Sequence, residues 1–311
     1  MTDTPLPLII DCDPGIDDAV MLIMAFLSPR LNVEAITTVA GNVPLAFTSR
    51  NARMVCERMG RADIPVHAGC PRPMARKMVT AEDFHGESGI AGMDVFDPKA
   101  PLAAGHAVNV LIDKLSASPK GGYTVIISGP MTNLATALIM APHIAKGIRE
   151  LVIMGGADTA GGNITPTAEF NIYADPHAAA IVFDAGLPTV VLALDATHQV
   201  RAEQARVDRI RALPGRNAAL MADLLDAANR LELRWRPGMQ VPMHDPSTVG
   251  WVLAPHLFQT KRCRVSVVTR PGKDFGRTRV KDGPRAPHRW VTVADADGFF
   301  ALVEDLLKAR A

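Results

Sequence analysis

The stretch LPLIIDCDPGIDDAVMLIMAFL, residues 6–27, places four aspartates, Asp11, Asp13, Asp17 and Asp18, between an apolar strand and an apolar helix. Carboxylates at this spacing repel one another and are costly to remove from water. The dipole of a helix that begins near Asp17 stabilises each nearby carboxylate by only about 0.3–1 kcal/mol. A hard divalent cation, Ca²⁺ or Mg²⁺, binds carboxylate and carbonyl oxygens, so the spacing indicates a metal site.

Other interpretations of this stretch start from the same residues. A plain turn with an aspartate as helix N-cap explains a single Asp more readily than the whole D-x-D-P-G-x-D-D pattern. An EF-hand is excluded because the required glycine and distal glutamate are missing. The stretch also resembles the D-x-D start of haloacid-dehalogenase-type phosphatases. There a Thr or Val follows, whereas this chain continues with Gly15-Ile16-Asp17-Asp18.

The composition argues against a nucleic-acid-binding or membrane-binding protein. The chain has 311 residues with 48% hydrophobic content, and 33 Lys and Arg nearly balance 32 Asp and Glu, so no general attraction to nucleic acid or acidic membranes is expected. Aromatic residues make up only 5%, too few for a base-stacking surface. No apolar run approaches the roughly 18 residues of a membrane span. The N-terminus lacks a signal pattern, and the cysteines form no C-x-x-C pair, which predicts a cytoplasmic location.

Short apolar runs alternate with longer helical stretches, which predicts one α/β domain over residues 1–311 with helices on both faces of an open, mostly parallel sheet. The predicted strands are Leu6–Asp11, Val33–Val39, Tyr123–Ile127, Leu151–Met154, Thr189–Leu194, Arg264–Thr269 and Arg289–Val293. The predicted helices are Asp18–Leu27, Phe47–Met59, Ala107–Leu115, Asn133–Met140, Pro176–Ala185, Ala202–Leu213, Asn217–Trp235 and Asp295–Lys308. The segments Pro71–Lys99 and Gly272–Pro287 are predicted to be long loops, which are often functional.

The segment DCDPGIDDA, residues 11–19, closely resembles the signature of the inosine–uridine-preferring nucleoside hydrolases. Further segments follow in that family's order and spacing: VAGN (39–42), HGESG (85–89), SGPMTN (128–133), MGGADTAGGN (154–163), AEFNIYADP (168–176) and HDPST (244–248). The resemblance implies a Rossmann-like fold and Ca²⁺-dependent hydrolysis of ribonucleosides to base and ribose. It also implies a homodimer or homotetramer. No G-x-G-x-x-G fingerprint occurs, so no dinucleotide cofactor is predicted.

The resemblance implies a Ca²⁺ ion held by the carboxylates of Asp13, Asp18 and Asp245 and by the backbone carbonyl of Ser128. Ca²⁺ accepts six to eight oxygens, so positions remain open. In the family these hold a water molecule and the ribose 2′- and 3′-hydroxyls. Asp13 is the expected general base, because a carboxylate beside the cation can take the proton of a water that attacks the anomeric carbon.

The resemblance also places a set of side chains against the ribose. These are Asp17, Asn42, Met154, Asn163, Glu169 and Asn171. If the chain is locally extended there, Glu169 and Asn171 point to one face and Phe170 points away. Taken alone, Glu169 is typical of a solvated loop charge, Asn42 of a turn, and Met154 equally of a core methionine.

The region around the leaving base is less well defined by the sequence. The resemblance implies that His244 protonates the departing base, although a His in that position can simply precede a helix N-cap. His85, in a Gly-flanked loop, either closes over the pocket or faces solvent. The helical segment 227–238 offers Trp235, Arg230 and Arg234, and the tryptophan either stacks on the base or packs in the core. The preferred base therefore stays open.

Two other function classes remain at this stage. A metal-dependent phosphatase would use Asp11 or Asp13 as nucleophile, prefer Mg²⁺, and need a phosphate-binding Lys or Arg. A non-catalytic nucleoside- or sugar-binding protein would keep the metal without turnover. The joint presence of Asp13, Asn171 and His244 favours an enzyme over the binding protein.

Overall fold

A single nine-stranded sheet forms the centre of the molecule, seen in a computed structural model that describes residues 4–86 and 88–310, except for the side chains of Asp83 and His85. The strands are β1 (Leu6–Cys12), β2 (Leu31–Thr38), β3 (Val66–Ala68), β4 (Tyr123–Ile127), β5 (Ile148–Met154), β6 (Thr189–Leu192), β7 (Phe258–Val267), β8 (Thr278–Asp282) and β9 (His288–Ala294). Their order is β3-β2-β1-β4-β5-β6-β9-β7-β8. The pairs from β3 to β9 are parallel, and β7 pairs antiparallel with β8 and β9. The predicted open, mostly parallel sheet is confirmed.

Helices cover both faces of the sheet. They are α1 (Ile16–Leu27), α2 (Leu45–Arg58), α3 (Glu82–His85), α4 (Ala107–Ala117), α5 (Thr132–Met140), α6 (Phe170–Ala174), α7 (Pro176–Asp184), α8 (Leu194–Thr197), α9 (Gln204–Arg211), α10 (Arg216–Trp235), α11 (Pro246–Leu253) and α12 (Ala296–Lys308). Alternate residues of β1 enter different cores, Leu8 and Ile10 on one face and Ile9 on the other. Within the described ranges, no helix has the length and apolarity needed to cross a membrane.

The C-terminal part departs from the sequence prediction. The predicted loop Gly272–Pro287 is wrong in its middle, because Thr278–Asp282 forms the edge strand β8. Strand β7 begins at Phe258 rather than Arg264, and the predicted strand Thr189–Leu194 ends at Leu192. β7 and β8 carry charged residues on an exposed side, so they lack the continuous apolar run that marks a buried strand. Short elements that the sequence did not predict are β3, α3, α6, α8 and α11.

The strand order also marks where a ligand binds. β1 lies between β2 and β4, so the chain leaves β1 first toward one edge of the sheet and later toward the other. Open α/β sheets bind ligands in the crevice beyond the carboxyl ends of their strands at such a switch point. The aspartate-rich segment follows the carboxyl end of β1 directly.

Candidate active site

A cavity of about 360 Å³ opens beyond the carboxyl ends of β1, β2, β4 and β5, within the size range of small-molecule sites. Many residues that the sequence singled out line it, although they come from distant parts of the chain. They are Asp17, Asn42, Ser128, Met154, Asn163, Glu169, Asn171, Trp235, His244 and Asp245. The side chain of His85 lies outside the described part of the chain, while the neighbouring Phe84 lines the cavity.

Asp13 and Asp18 are fully buried and are not among the described residues that border the cavity. Both are held by residues that do border it. The backbone N–H of Asn42 donates to Oδ2 of Asp13 (2.7 Å), and the hydroxyl of Ser128 donates to Oδ1 of Asp18 (2.6 Å). The N–H of Gly15 also donates to Oδ2 of Asp18 (2.9 Å) at the start of α1. These two carboxylates therefore lie directly behind the cavity wall.

The carboxylates of Asp17, Asp18 and Asp245 converge, with oxygens within 4.8 Å of one another. Oδ1 of Asp13 and Oδ1 of Asp17 are buried without a hydrogen-bond partner. Among the ion pairs of the described residues, none joins Asp13, Asp17 or Asp245 to a lysine or arginine. Carboxylate oxygens at this density fit a hard divalent cation.

The pKa values of Asp13 and Asp245 are raised by burial and by the crowding of carboxylates. Burial raises the pKa of Asp13 well above its usual range, and the carboxylates of Asp18 and Asp17 raise it further against the lowering effect of the Asn42 N–H. Burial likewise raises the pKa of Asp245, with repulsion from Asp17 and Asp18 adding to it. A bound divalent cation reverses this effect, because it is the largest local charge and favours ionised ligands.

Two glycines shape the space around the Asp13 carboxylate. A Cβ added at Gly41 would lie 2.0 Å from Oδ2 of Asp13, and one added at Gly129 would lie 2.6 Å from Oδ1. Only glycine permits the backbone to approach this closely. The glycines of the VAGN and SGPMTN segments therefore leave room for the Asp13 carboxylate between these two segments.

Glu169 is buried, with 2% of its surface exposed, so it is not a solvated loop charge. It is the N-cap of α6, where its carboxylate accepts from the N–H groups of Asn171 (2.9 Å), Ile172 (3.2 Å) and Gly156 (2.9 Å). Burial raises its pKa to about 7, against the lowering effect of these N–H groups. The extended geometry considered for residues 169–171 is wrong, because α6 begins at Phe170, which itself lines the cavity.

The amide of Asn171 ties together two strand ends. Its Nδ2 donates to the carbonyl of Ser128 (2.7 Å) and to the carbonyl of Met154 (3.3 Å). A carbonyl oxygen has two lone pairs, so that of Ser128 keeps the capacity to bind a cation. Oδ1 of Asn163 accepts from the N–H of Phe170 (2.8 Å), which fixes the loop before α6.

Asp195 anchors the loop that carries Asn163, although no motif singled it out. Its carboxylate accepts from the N–H groups of Asp158 (2.8 Å), Thr159 (2.7 Å) and Ala160 (3.0 Å) and from the Thr159 hydroxyl (2.7 Å). Burial opposes ionisation, yet these hydrogen bonds hold the pKa of Asp195 below its usual value. One side chain thus fixes the start of the loop.

We expect Asp195→Ala to raise KM for a ribonucleoside about 10-fold, because the loss of several hydrogen bonds worth about 1 kcal/mol each loosens the Asn163 loop. Asp195→Asn keeps one acceptor oxygen and should have a smaller effect. Steady-state kinetics measure both, with the exposed Asp208→Ala on α9 as control. An unchanged KM in Asp195→Ala would show that the loop does not depend on this anchor.

His244 lines the other end of the cavity, on the segment before α11. Its Nδ1 is hydrogen-bonded to the hydroxyl of Thr197 at 2.8 Å, which orients the ring. The ring of His198 lies 5.7 Å away, centroid to centroid. Burial lowers the pKa of His198 to about 4, with Arg201 and Arg236 contributing, so this neighbour is neutral near pH 7. It therefore does not oppose a positive charge on His244.

Of the three side chains that the sequence singled out near the end of helix α10, Trp235 lines the cavity and the two arginines do not. Arg230 and Arg234 are exposed, whereas Glu232 and Arg236 line the cavity together with Trp235, which is 60% exposed. Glu232 and Trp235 are three residues apart and share one helical face, and Arg236 is the C-cap residue that follows. This spacing could have indicated that Glu232 lies on the same face as Trp235. The sequence did not single out Glu232 because charged residues on a helix usually face solvent.

The phosphatase alternative lacks its required parts. Asp11 accepts from the Thr37 hydroxyl (2.6 Å) and the Asn133 amide (2.8 Å) and is not among the described residues lining the cavity. Of the described cavity residues, the only Lys or Arg is Arg236, which pairs with Glu232 (3.4 Å). Among the described residues that line the cavity, no cationic group beside the aspartates is therefore available to bind a phosphate.

The fold is that of an α/β protein of the nucleoside hydrolase type, as solved structures show. The chain superposes on a plant nucleoside hydrolase, PpNRh1, with a TM-score of 0.92 and 29% identity over 98% of this chain and 100% of that one. A purine-preferring ribonucleoside hydrolase from Gardnerella vaginalis gives a TM-score of 0.90 at 28% identity, covering 97% and 99% of the two chains.

The inosine-uridine preferring nucleoside hydrolase family model matches residues 8–301, and the chain belongs to that family. It is therefore a nucleoside hydrolase. The pyrimidine-specific ribonucleoside hydrolase RihA of Salmonella gallinarum is 39% identical over 308 residues, covering 97% of this chain and 98% of that protein.

Proposed function

We propose that this chain hydrolyses the N-glycosidic bond of ribonucleosides to free base and ribose, with Ca²⁺ bound at the aspartate cluster. The observation that carries the proposal is the set of converging carboxylates of Asp17, Asp18 and Asp245 at a small-molecule cavity. Family membership supplies the reaction class. The oxygen-only ligand set favours Ca²⁺ or Mg²⁺ over Zn²⁺.

The cation would be held by Asp13, Asp18 and Asp245 and by the carbonyl of Ser128, with Asp17 close enough to contribute. A bound Ca²⁺ supplies a positive charge that orders the ribose hydroxyls and favours ionisation of a neighbouring water. The acidic side chains at the cavity also stabilise positive charge that develops on the ribose as the bond to the base breaks. No covalent intermediate is needed in this scheme.

Side chains of the protein carry out proton transfer and ribose binding. Asp13, fixed between two glycines, takes the proton of the attacking water as general base. Asp17, Asn42, Glu169 and Asn171 hold ribose hydroxyls. The burial of Glu169 supports this role, because a buried carboxylate gains more from a hydroxyl donor than an exposed one.

Further side chains complete the assignment. Asn163 binds near the 5′-hydroxyl, Met154 packs beneath the sugar, and His244 protonates the departing base. Trp235 covers the base from the cavity rim, and His85 acts from the loop above. The buried position of Met154, with 2% exposed, is consistent with either a sugar contact or a core role.

The cellular setting is inferred from less specific features. A cytoplasmic location agrees with four free cysteines among the described residues and with the balanced net charge. A homodimer or homotetramer and a role in nucleoside salvage follow from the family resemblance. The RihA relative acts on pyrimidine ribonucleosides and the Gardnerella relative prefers purine ones, so both base classes are candidate substrates.

Release of reducing sugar from uridine, cytidine, inosine and adenosine in phosphate-free buffer tests the proposed function. We expect ribose from at least one of them, with free base in equal amount. Because phosphate is absent, such release identifies hydrolysis rather than phosphorolysis. Release of neither ribose nor base from any of the four would contradict the proposal.

A further inference from the structure

Part of the cavity wall is formed by residues 81–89 (the wall segment), which contain helix α3. At its start, the N–H of Ala81 donates to the carbonyl of Asn42 (2.8 Å). Near its end, the carbonyl of Ser88 accepts a hydrogen bond from Nδ2 of Asn51 (2.9 Å). Two asparagines therefore hold the backbone of the wall segment. The assignments above give a role to Asn42 but none to Asn51.

Both asparagines also bond the loop that carries Asp13. The N–H of Asn42 donates to Oδ2 of Asp13 (2.7 Å), and its Nδ2 donates to the carbonyl of the same residue (3.1 Å). Nδ2 of Asn51 donates to the carbonyl of Pro14 (3.0 Å). A side-chain amide carries two hydrogens, enough for one bond to Pro14 and one to Ser88. Asn51 therefore joins the aspartate loop directly to the wall segment.

The surroundings of Asn51 restrict it to these partners. Asn51 is fully buried on α2, so its amide cannot replace a lost partner with bulk water. Nη2 of Arg50 donates both to Oδ1 of Asn51 (3.2 Å) and to the carbonyl of Ser88 (3.2 Å). Gly89 has a φ of +77°, and an added Cβ would lie 2.8 Å from Val43 Cγ2 and 3.1 Å from Asn51 Nδ2. Glycine thus permits the end of the wall segment to pack directly against Asn51.

Asn51 lies between two parts of the proposed site. On one side, Pro14 directly follows Asp13, the proposed general base. On the other side, the wall segment carries Phe84, which lines the cavity. Groups that are fixed in place before a ligand binds lower the entropy cost of binding and of reaching the reactive geometry.

We propose that Asn51 is a positioning residue, a role that rests on the proposed nucleoside hydrolysis. Its amide fixes the wall segment to the loop that carries Asp13. A bound nucleoside therefore meets the general base and the wall formed by α3 at one set separation. Asn51 acts through these neighbours, since it is not among the described residues that line the cavity.

Amide hydrogen exchange of the ligand-free protein tests the attachment without reference to activity. Asn51→Leu removes both bonds and keeps a side chain of similar size, so the wall segment should exchange at least about 10-fold faster. Arg50→Met removes only the guanidinium contacts, and exchange about threefold faster is expected. Arg53→Met is the matched control, because this arginine of the same helix bonds the carbonyl of Ala100 (3.0 Å) outside the wall segment.

Steady-state kinetics separate positioning from a role in folding alone. The substrate is whichever of uridine, cytidine, inosine and adenosine the unmodified enzyme hydrolyses fastest. Arg50→Met loosens only the wall segment, so KM should rise about threefold while kcat stays within about twofold. Asn51→Leu also frees Pro14 beside Asp13, so KM should rise and kcat should fall, each by about 10-fold. Partial unfolding would instead lower the apparent kcat and leave KM unchanged.

The outcomes separate this proposal from the function on which it rests. Exchange in Arg50→Met equal to that in Arg53→Met would overturn the proposal, and this comparison decides even if Asn51→Leu does not fold. Faster exchange with unchanged KM would assign Asn51 to the fold alone and leave hydrolysis standing. An unmodified enzyme that releases no ribose from any of the four nucleosides would refute hydrolysis and the positioning role together.

Discussion

Asp13→Asn is expected to lower kcat for ribonucleoside hydrolysis by about 10³-fold while the protein stays folded, because the amide cannot accept the proton of the attacking water. The amide fits the same space between Gly41 and Gly129. It also removes a negative charge from a cluster in which burial already raises the pKa of Asp13. The melting temperature of the Ca²⁺-free protein should therefore stay the same or rise, as circular dichroism can measure beside the kinetics.

Asp11→Asn is the matched control, since Asp11 lies two residues away on β1 and is equally buried. Its side chain bonds Thr37 and Asn133 rather than residues of the cavity. We expect less than a 10-fold loss of activity from this change. Comparable losses in both variants would assign the effect to the packing of β1, and an Asp13→Asn enzyme with near-normal kcat would rule out the general base.

His244→Ala is expected to lower kcat/KM for inosine and uridine by about 10²–10⁴-fold, the usual contribution of a general acid. An unprotonated purine or pyrimidine anion is a poor leaving group. p-Nitrophenolate leaves without protonation, so p-nitrophenyl riboside should lose less than about fivefold. The difference between the two substrate types, measured on one protein preparation, isolates proton donation from substrate binding.

Thr197→Val provides a milder perturbation of the same group. It removes the hydroxyl within 2.8 Å of His244 Nδ1 and keeps the shape of the side chain. A smaller loss, about 10-fold, is expected on nucleosides only, because the ring stays present but less well oriented. Equal losses on nucleosides and p-nitrophenyl riboside in His244→Ala would contradict the leaving-group role.

The parallel half of the sheet is predictable because its strands are buried on both faces. β1, β4 and the second part of β5, Leu151–Met154, are almost unbroken apolar runs, and burial along them is nearly complete. β7 and β8 could not be predicted in the same way. Their outward-facing positions carry residues such as Arg262 and Arg264, so the apolar signal is diluted.

The residues of the candidate site also differ in whether the sequence alone could single them out. Residues in short linear motifs, such as Asp17, Asn42 and Asn171, were singled out because those motifs resemble the family's, and all three line the cavity. Asp195 and Glu232 were not, since each acts through contacts made by distant segments. The extended geometry near Glu169 was wrong because the capping of α6 by that side chain outweighs the alternating pattern.

The measurement that tests the central claim most directly is the Ca²⁺ dependence of ribose release. The protein is stripped with a chelator, and bound Ca²⁺ and activity on uridine or inosine are followed together as the ion is added back. We predict an inactive stripped enzyme whose activity returns in proportion to Ca²⁺ bound, reaching its maximum at about one ion per chain. Full ribose release by the stripped enzyme would contradict a cation held by Asp13, Asp18 and Asp245 as part of the catalytic site.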